Sequence, residues 1–165
     1  MPKVALLARD DAPLLAQRFY ADGDPGPIAA ALAQVPELME AALPFIGAVF
    51  GPTALDPRLK EIVILRVSSA NHCSYCTLTH TAIARRIGFS AEGLAALRGE
   101  GRMPADWSPR ERAAHSFAEA ISTEPASAVT VLRPHFTEPE IVELVTLAAA
   151  TVMLNRFATA LDLPA

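Results

Sequence analysis

Residues 61–80 read Glu-Ile-Val-Ile-Leu-Arg-Val-Ser-Ser-Ala-Asn-His-Cys-Ser-Tyr-Cys-Thr-Leu-Thr-His. Whether the apolar block Ile62–Val67 is strand or helix decides the fold. Its β-branched residues suit a buried strand as well as a buried helix. Two signals outside the block resolve the ambiguity. Asp56-Pro57 sets an N-cap residue before a proline at the first helical position, and no other stretch of the chain reads as a strand. The reading is therefore a buried helix over 58–69, a turn over 70–72 and a second helix from Cys73 to Ile87, closed by Gly88.

On that second helix Cys73, Cys76 and His80 fall at i, i+3 and i+7 and share one face. Helical residues three apart have Cα atoms roughly 5 Å from each other, inside the range a disulfide spans. A helix N-terminus also offers unpaired N–H groups and partial positive charge, which lower a thiol pKa. The pair is thus suited to cycling between dithiol and disulfide. A structural zinc is the alternative. Cys73, Cys76 and His80 supply three ligands, and a fourth would come from His72, or from the distant His115 or His135. Haem attachment requires a histidine directly after the second cysteine, where Thr77 stands. A thioredoxin-like strand–CxxC–helix is set aside for want of strands. The redox reading calls for no cofactor and no metal. Glu61 heads the apolar helix, and a carboxylate buried there needs a partner; the bland alternative is a solvated first-turn acid. His72, His115 and His135 read as surface or structural groups, and Arg66, Asn155 and Arg156 as residues that satisfy buried polar atoms.

Outside this stretch the chain of 165 residues has room for one well-filled core. It is 52% hydrophobic and only 19% charged, an excess of apolar surface that points to a homo-oligomer. A net charge of −4 without a basic stripe argues against nucleic acid. Two cysteines in one CxxC make no secreted disulfide framework. The N-terminus has too short an apolar run for a signal peptide, and the uncharged run Leu144–Asn155 is too short to span a bilayer. A cytoplasmic protein without a membrane segment is expected. In chain order, Asp11 caps a short helix over Ala12–Tyr20. Pro36 opens a helix to Phe50, which Pro44 should kink or split. Ser90 caps a helix to Leu97, and Ser108-Pro-Arg-Glu111 is a capping box for a helix to about Ile121. Glu124–Arg133 forms a short helix, and Thr137-Glu-Pro-Glu140 caps the longest, to about Leu161. The expectation is an all-α helical bundle in one domain.

The spacing Glu61-x11-Cys73-x2-Cys76-x3-His80 resembles the alkylhydroperoxidase D-like group of the carboxymuconolactone decarboxylase superfamily. Phe117-Ala-Glu-Ala, His135-Phe-Thr-Glu138 and Asn155-Arg-Phe157 carry the likeness onward, so that it covers about 36–163. The resemblance implies a helical subunit in trimers or larger rings with the cysteines near a subunit boundary. It implies a cofactor-free dithiol peroxidase, an antioxidant acting on organic hydroperoxides or hydrogen peroxide. Cys76 would be peroxidatic, Cys73 resolving, and Glu61 and His80 the proton relay, with an external dithiol, such as a lipoyl-bearing protein, as reductant. Tyr75 occupies a position where the better-studied type carries a relay histidine. The alternatives are a dithiol–disulfide oxidoreductase with a protein or small-thiol partner, and a non-catalytic helical oligomer with a structural CxxC.

Overall fold

The computed structural model describes residues 1–165, and its secondary structure is wholly helical. Eight α-helices follow in order: α1 (Pro27–Leu32), α2 (Pro36–Phe50), α3 (Pro57–Ala70), α4 (Ser74–Arg86), α5 (Ala91–Leu97), α6 (Pro109–Ala120), α7 (Pro125–Ala128) and α8 (Glu138–Ala160). The block Ile62–Val67 lies inside α3, as the Asp56-Pro57 signal requires; the Asp56 side chain accepts from the N–H of Arg58 at 2.8 Å.

Helix α3 is the axle of the fold. It is buried on nearly every side, from Leu59 through Leu65 and at Val67 and Ser68, as expected of a helix apolar all round. It packs on α4, α6 and α8. The main core lies around it, with Phe117 and Ala114 from α6, Leu144 and Leu147 from α8, and Leu94, Leu97 and Trp107 closing the far end. Both predicted capping boxes are present, at Ser108/Glu111 and Thr137/Glu140. Ser90 caps α5 through the N–H of Gly93, and Gly88 ends α4 with φ +91°.

Three local expectations are corrected, and one observation is added. Ala12–Tyr20 is not an α-helix but loop with short 3₁₀ turns at Arg9–Asp11 and Gln17–Tyr20. Ala12, Ala16 and Tyr20 do bury together, yet alanines shed too little apolar area to sustain so short a helix. Helix α2 runs unbroken through Pro44. Pro44 is exposed, so the carbonyl it deprives of a donor lies on the outer side, where water can serve it. The helix expected over 124–133 stops at Ala128 and tightens into a 3₁₀ turn at Val129–Val131, where two β-branched valines flank a threonine. Finally, α8 as a whole, 23 residues with a mean hydropathy of 1.5 in its most apolar window, is long and apolar enough to cross a membrane, although its uncharged stretch alone is not. Here it serves as a core helix, burying Leu144, Leu147, Ala148, Thr151, Asn155 and Ala158.

The first thirty residues wrap the bundle rather than trailing from it. Lys3 N–H donates to the Leu161 carbonyl at 2.9 Å, Leu7 N–H to Ala30 at 3.1 Å, and the Tyr20 hydroxyl to the Leu7 carbonyl at 2.7 Å. Large apolar side chains remain exposed on three helices: Leu38 and Phe45 on α2, Leu78 and Ile83 on α4, and Val142 and Met153 on α8.

Candidate active site

The turn between α3 and α4 aims the sulfurs. His72 adopts φ +55°, a left-handed conformation in which histidine is among the more tolerated non-glycine residues. Cys73 N–H then bonds back to the Ser68 carbonyl at 3.0 Å, and Cys73 becomes the N-cap of α4. Cys76 follows in the first turn. Both are free thiols, 1% and 6% exposed. They are roofed by Ala31 of α1, Ala158 and Leu163, with Leu6, Ile28, Tyr75 and Phe157 around them. The N-terminal wrap, which sequence reading left without a role, therefore helps bury the thiols.

Polar groups converge on the sulfurs from α3 and α8. Asn155, 1% exposed, donates to Ser68 Oγ at 3.0 Å and accepts from Asn71 Nδ2 at 3.2 Å; Arg156 donates to Asn71 Oδ1 at 3.3 Å. The Cys76 thiol donates to the Cys73 sulfur, and this contact, with smaller help from the Cys76 backbone N–H, Thr159 and Asn155, overcomes burial and lowers the Cys73 pKa to about 6. The same contact, burial and the Cys73 charge push the Cys76 thiol up, against Asn155 and Ser68. The pair shares one proton, which rests on Cys76. Ser68 and Thr159 escaped the sequence reading, because a lone hydroxyl on a helix carries no pattern. In the sequence Asn155 shows as a residue that satisfies buried polar atoms, and here it serves Ser68 and Asn71.

Glu61 has the partner its burial demands. Nδ1–H of His80 donates to its carboxylate at 3.0 Å to Oε2 and 3.2 Å to Oε1, and Glu61 is 8% exposed. The acid is thus no solvated first-turn residue. Its neighbour Lys60 turns elsewhere: Nζ donates to the carbonyls of Gly51 at 2.8 Å and Val49 at 3.2 Å, and meets Glu143 Oε1 at 3.1 Å. Thr53 also donates to Glu143.

The four motif residues form two pairs. Glu61 and His80 line a cavity of about 410 Å³ with Phe50, Leu55, Ile64 and Ile83. Cys73 and Tyr75 line a small one of about 70 Å³ between α4 and the end of α8, beside Thr159 and Leu163. Tyr75 is half-buried, and burial followed by the two thiols raises its pKa. Of the other histidines, His115 is buried against Trp107, while His72 and His135 are exposed.

Comparison with known proteins agrees with this architecture. The YnjA protein of Escherichia coli K12 is 32% identical over 116 residues, 67% of this chain and 63% of YnjA, so the match spans less than two thirds of that relative. A peroxidase-related protein from Ralstonia eutropha JMP134 with an alkylhydroperoxidase AhpD core superposes with a TM-score of 0.82, covering 99% of this chain and 91% of its own at 20% identity, a likeness of fold. The debrominase Bmp8, solved as its C82A variant with 2,3,4-tribromopyrrole, is 25% identical over 99% of this chain and 93% of its own, with a TM-score of 0.81. The carboxymuconolactone decarboxylase family matches over residues 36–120, half of the chain and the part that holds the CxxC pair, Glu61 and His80. By that match and its AhpD-like fold, the chain belongs to the carboxymuconolactone decarboxylase family.

Proposed function

We propose that this protein is a cofactor-free dithiol peroxidase that reduces organic hydroperoxides or hydrogen peroxide as an antioxidant. The observation that carries the reading is the pair of free, buried thiols at the α4 N-terminus, where the Cys76 thiol lowers the Cys73 pKa to about 6. Such a pair holds a thiolate at neutral pH and can close on itself. In the sequence of events the family resemblance implies, the proton passes from Cys76 to the Cys73 thiolate. The Cys76 thiolate then attacks the outer peroxide oxygen. The O–O bond breaks, alkoxide leaves and takes a proton, and Cys76 becomes a sulfenic acid. Cys73 attacks that sulfur, an S–S bond forms, and hydroxyl departs with the Cys73 proton as water. An external dithiol, such as a lipoyl group on a protein, reduces the disulfide. His80 and Glu61 supply and remove protons from the adjacent cavity. The exposed apolar residues of α2, α4 and α8 are the surfaces on which the subunit assembles as a trimer or larger ring, and a reducing cytoplasm is the compartment that keeps the dithiol ready.

Because the resting charge sits on Cys73, direct attack by Cys73 is the second assignment of roles. Intact mass of wild type, Cys73→Ser and Cys76→Ser after peroxide separates the two. Wild type is expected to lose about two hydrogens on disulfide closure. Cys73→Ser should stall as a sulfenic acid at Cys76, and Cys76→Ser should show no turnover. Oxidation confined to Cys73 in the single variants reverses the roles, and no mass change in wild type removes the peroxidase reading.

The likeness to Bmp8 favours one other substrate for the same two electrons. A thiolate takes bromine from a brominated ring while the ring carbon takes a proton, and the second thiol then expels bromide and closes the disulfide. Bromide release from 2,3,4-tribromopyrrole, measured beside peroxide consumption, decides between them.

A further inference from the structure

Leu6 stands between two spaces. On one side it packs on the cluster that buries Cys73 and Cys76. On the other it lines an open cavity of about 460 Å³, whose walls include Leu7, Ala8, Pro27 and Ala30. The cavity lies near the thiol site: burial and the two thiols raise the Tyr75 pKa, and Asp24, on the cavity wall, adds to them. The thiols themselves are shut in, 1% and 6% exposed. The small cavity at Cys73 is about 70 Å³, about half of the roughly 150 Å³ that accommodates benzene. Two bonded oxygens fit there, whereas the carbon body of a branched or aromatic hydroperoxide needs a wall to move. Most of the roof is tied down. Ile28 and Ala31 belong to α1, Tyr75 to α4, and Phe157 and Ala158 to α8, while the N–H groups of Leu161 and Leu163 bond to the carbonyls of Phe157 and Ala158. Leu6 lies in the stretch 5–8, outside any regular element, and its own N–H and carbonyl make no backbone hydrogen bond. The chain is pinned on either side of it, where Gln34 Nε2 donates to the Ala5 carbonyl at 2.9 Å and Leu7 N–H to the Ala30 carbonyl at 3.1 Å. With the backbone held and open space beside the side chain, rotation about its own χ angles is the motion left to it.

We propose that Leu6 is the gate between this cavity and the dithiol, and that it sets which hydroperoxides reach the sulfurs; the inference rests on the peroxidase reading above. Swung outward, the side chain joins the apolar wall of Leu7, Pro27 and Ala30. It exchanges one apolar surrounding for another, so little hydrophobic free energy is lost in the move, and side-chain rotamer changes are fast against enzymatic turnover. The cavity then becomes continuous with the thiol cluster. Its walls take the carbon body of an apolar organic hydroperoxide while the O–O bond meets a sulfur. The two thiols give two electrons, the O–O bond breaks, and the products are the alcohol, water and the disulfide. With Leu6 closed, the space at Cys73 serves hydrogen peroxide.

The test compares the full-length protein with three variants, each first checked for folding by thermal denaturation. Oxidation of the reduced dithiol by cumene hydroperoxide and by hydrogen peroxide is followed by intact mass, and the ratio of the two rates is the readout. Leu6→Ala removes the gate and should raise that ratio about tenfold, the scale of a few methylenes in an apolar pocket. Ala8→Trp, at an exposed position on the cavity wall, fills the space Leu6 must enter and should lower it by a similar factor. Ile28→Ala thins the same roof from α1 without lining the cavity and should leave the ratio unchanged. Labelling of the reduced thiols by N-ethylmaleimide, which is too large for the cavity at Cys73 and needs no peroxide chemistry, should rise in Leu6→Ala and fall in Ala8→Trp. If wild type is not oxidised by either peroxide, the peroxidase reading falls while the labelling rates still test the gate. Labelling at the wild-type rate in both Leu6→Ala and Ala8→Trp overturns the gate, and so does an Ile28→Ala variant that matches Leu6→Ala, which makes Leu6 one packing residue among several.

Discussion

Nδ1 of His80 stands 3.0 Å from Oε2 of Glu61, tying α4 to α3 nineteen residues apart in sequence. This bond makes the acid part of the same unit as the thiol-bearing helix. Glu61→Gln keeps the side chain's shape and removes the base. In the proposed mechanism it should slow peroxide turnover by roughly 10²–10⁴-fold, with unchanged size-exclusion behaviour. A rate equal to wild type in an intact assembly would reduce the pair to a structural tie.

The shared proton gives the protein a pH signature. Cys73 is held at about 6 in the fold, against an ordinary thiol value of 9.0. Between these values the unfolded chain binds more protons than the folded one, so stability should rise with pH from about 6 to about 9. Above that, Cys76, raised in the fold, keeps a proton that the unfolded chain loses, and stability should fall. Urea denaturation across this range should show the maximum in wild type, and Cys73→Ser should flatten the rising limb. Alkylation of the reduced protein should lose rate as pH drops through about 6. A midpoint near the ordinary thiol value would contradict the assigned thiolate.

Asn155 holds the polar side of the thiol site. Asn155→Ala leaves Ser68 Oγ without the donor it has here and Asn71 Nδ2 with only the Val67 carbonyl, a cost of about 1–3 kcal/mol. It also removes one of the groups that lower the Cys73 pKa, so the alkylation midpoint should move upward. Loss of stability with an unmoved midpoint would make Asn155 a packing residue only.

Much of this was legible in the chain. Asp56-Pro57, Ser108-Pro and the two capping boxes act through neighbours a few residues away, and those helices begin where the sequence sets them. Cys73 at the head of α4 follows from the same local logic. The pairing of Glu61 with His80 was foreseeable as a need for a partner, but its geometry was not. That depends on how far α3 and α4 rotate about their axes, which is set by packing along the entire length of α3. Tertiary context also overrode local signals at Pro44, where an exposed position tolerates the missing N–H, and at Ala12–Tyr20, where small side chains could not hold a helix.

Tyr75 is where the chain departs from the relay histidine of the better-studied relatives it resembles. Burial and the nearby thiols raise its pKa, so the phenol keeps its proton at neutral pH and is a poor relay. Tyr75→His should raise peroxide turnover near neutral pH, by about tenfold. Assembly is checked first by size exclusion, because the ring packs against the thiol cluster. A well-assembled variant that is no faster anywhere between about pH 6 and 8 would show that proton delivery at this position does not limit the rate.

Lys60 and Glu61 are sequence neighbours of opposite charge, both interior, and yet they are not a couple. The lysine's three N–H bonds are matched one for one by the carbonyls of Val49 and Gly51 and the carboxylate of Glu143, while Glu61 faces the imidazole of His80. Consecutive residues on α3 point about 100° apart, and the helix uses that angle as an insulator. The cation is discharged into the end of α2 and into α8, on one side of the rod, and the carboxylate is left to the His80 imidazole on the other. A buried carboxylate beside an ammonium would ordinarily be locked in an ion pair, inert to proton traffic. By wiring its lysine elsewhere, the fold leaves this one to the imidazole alone.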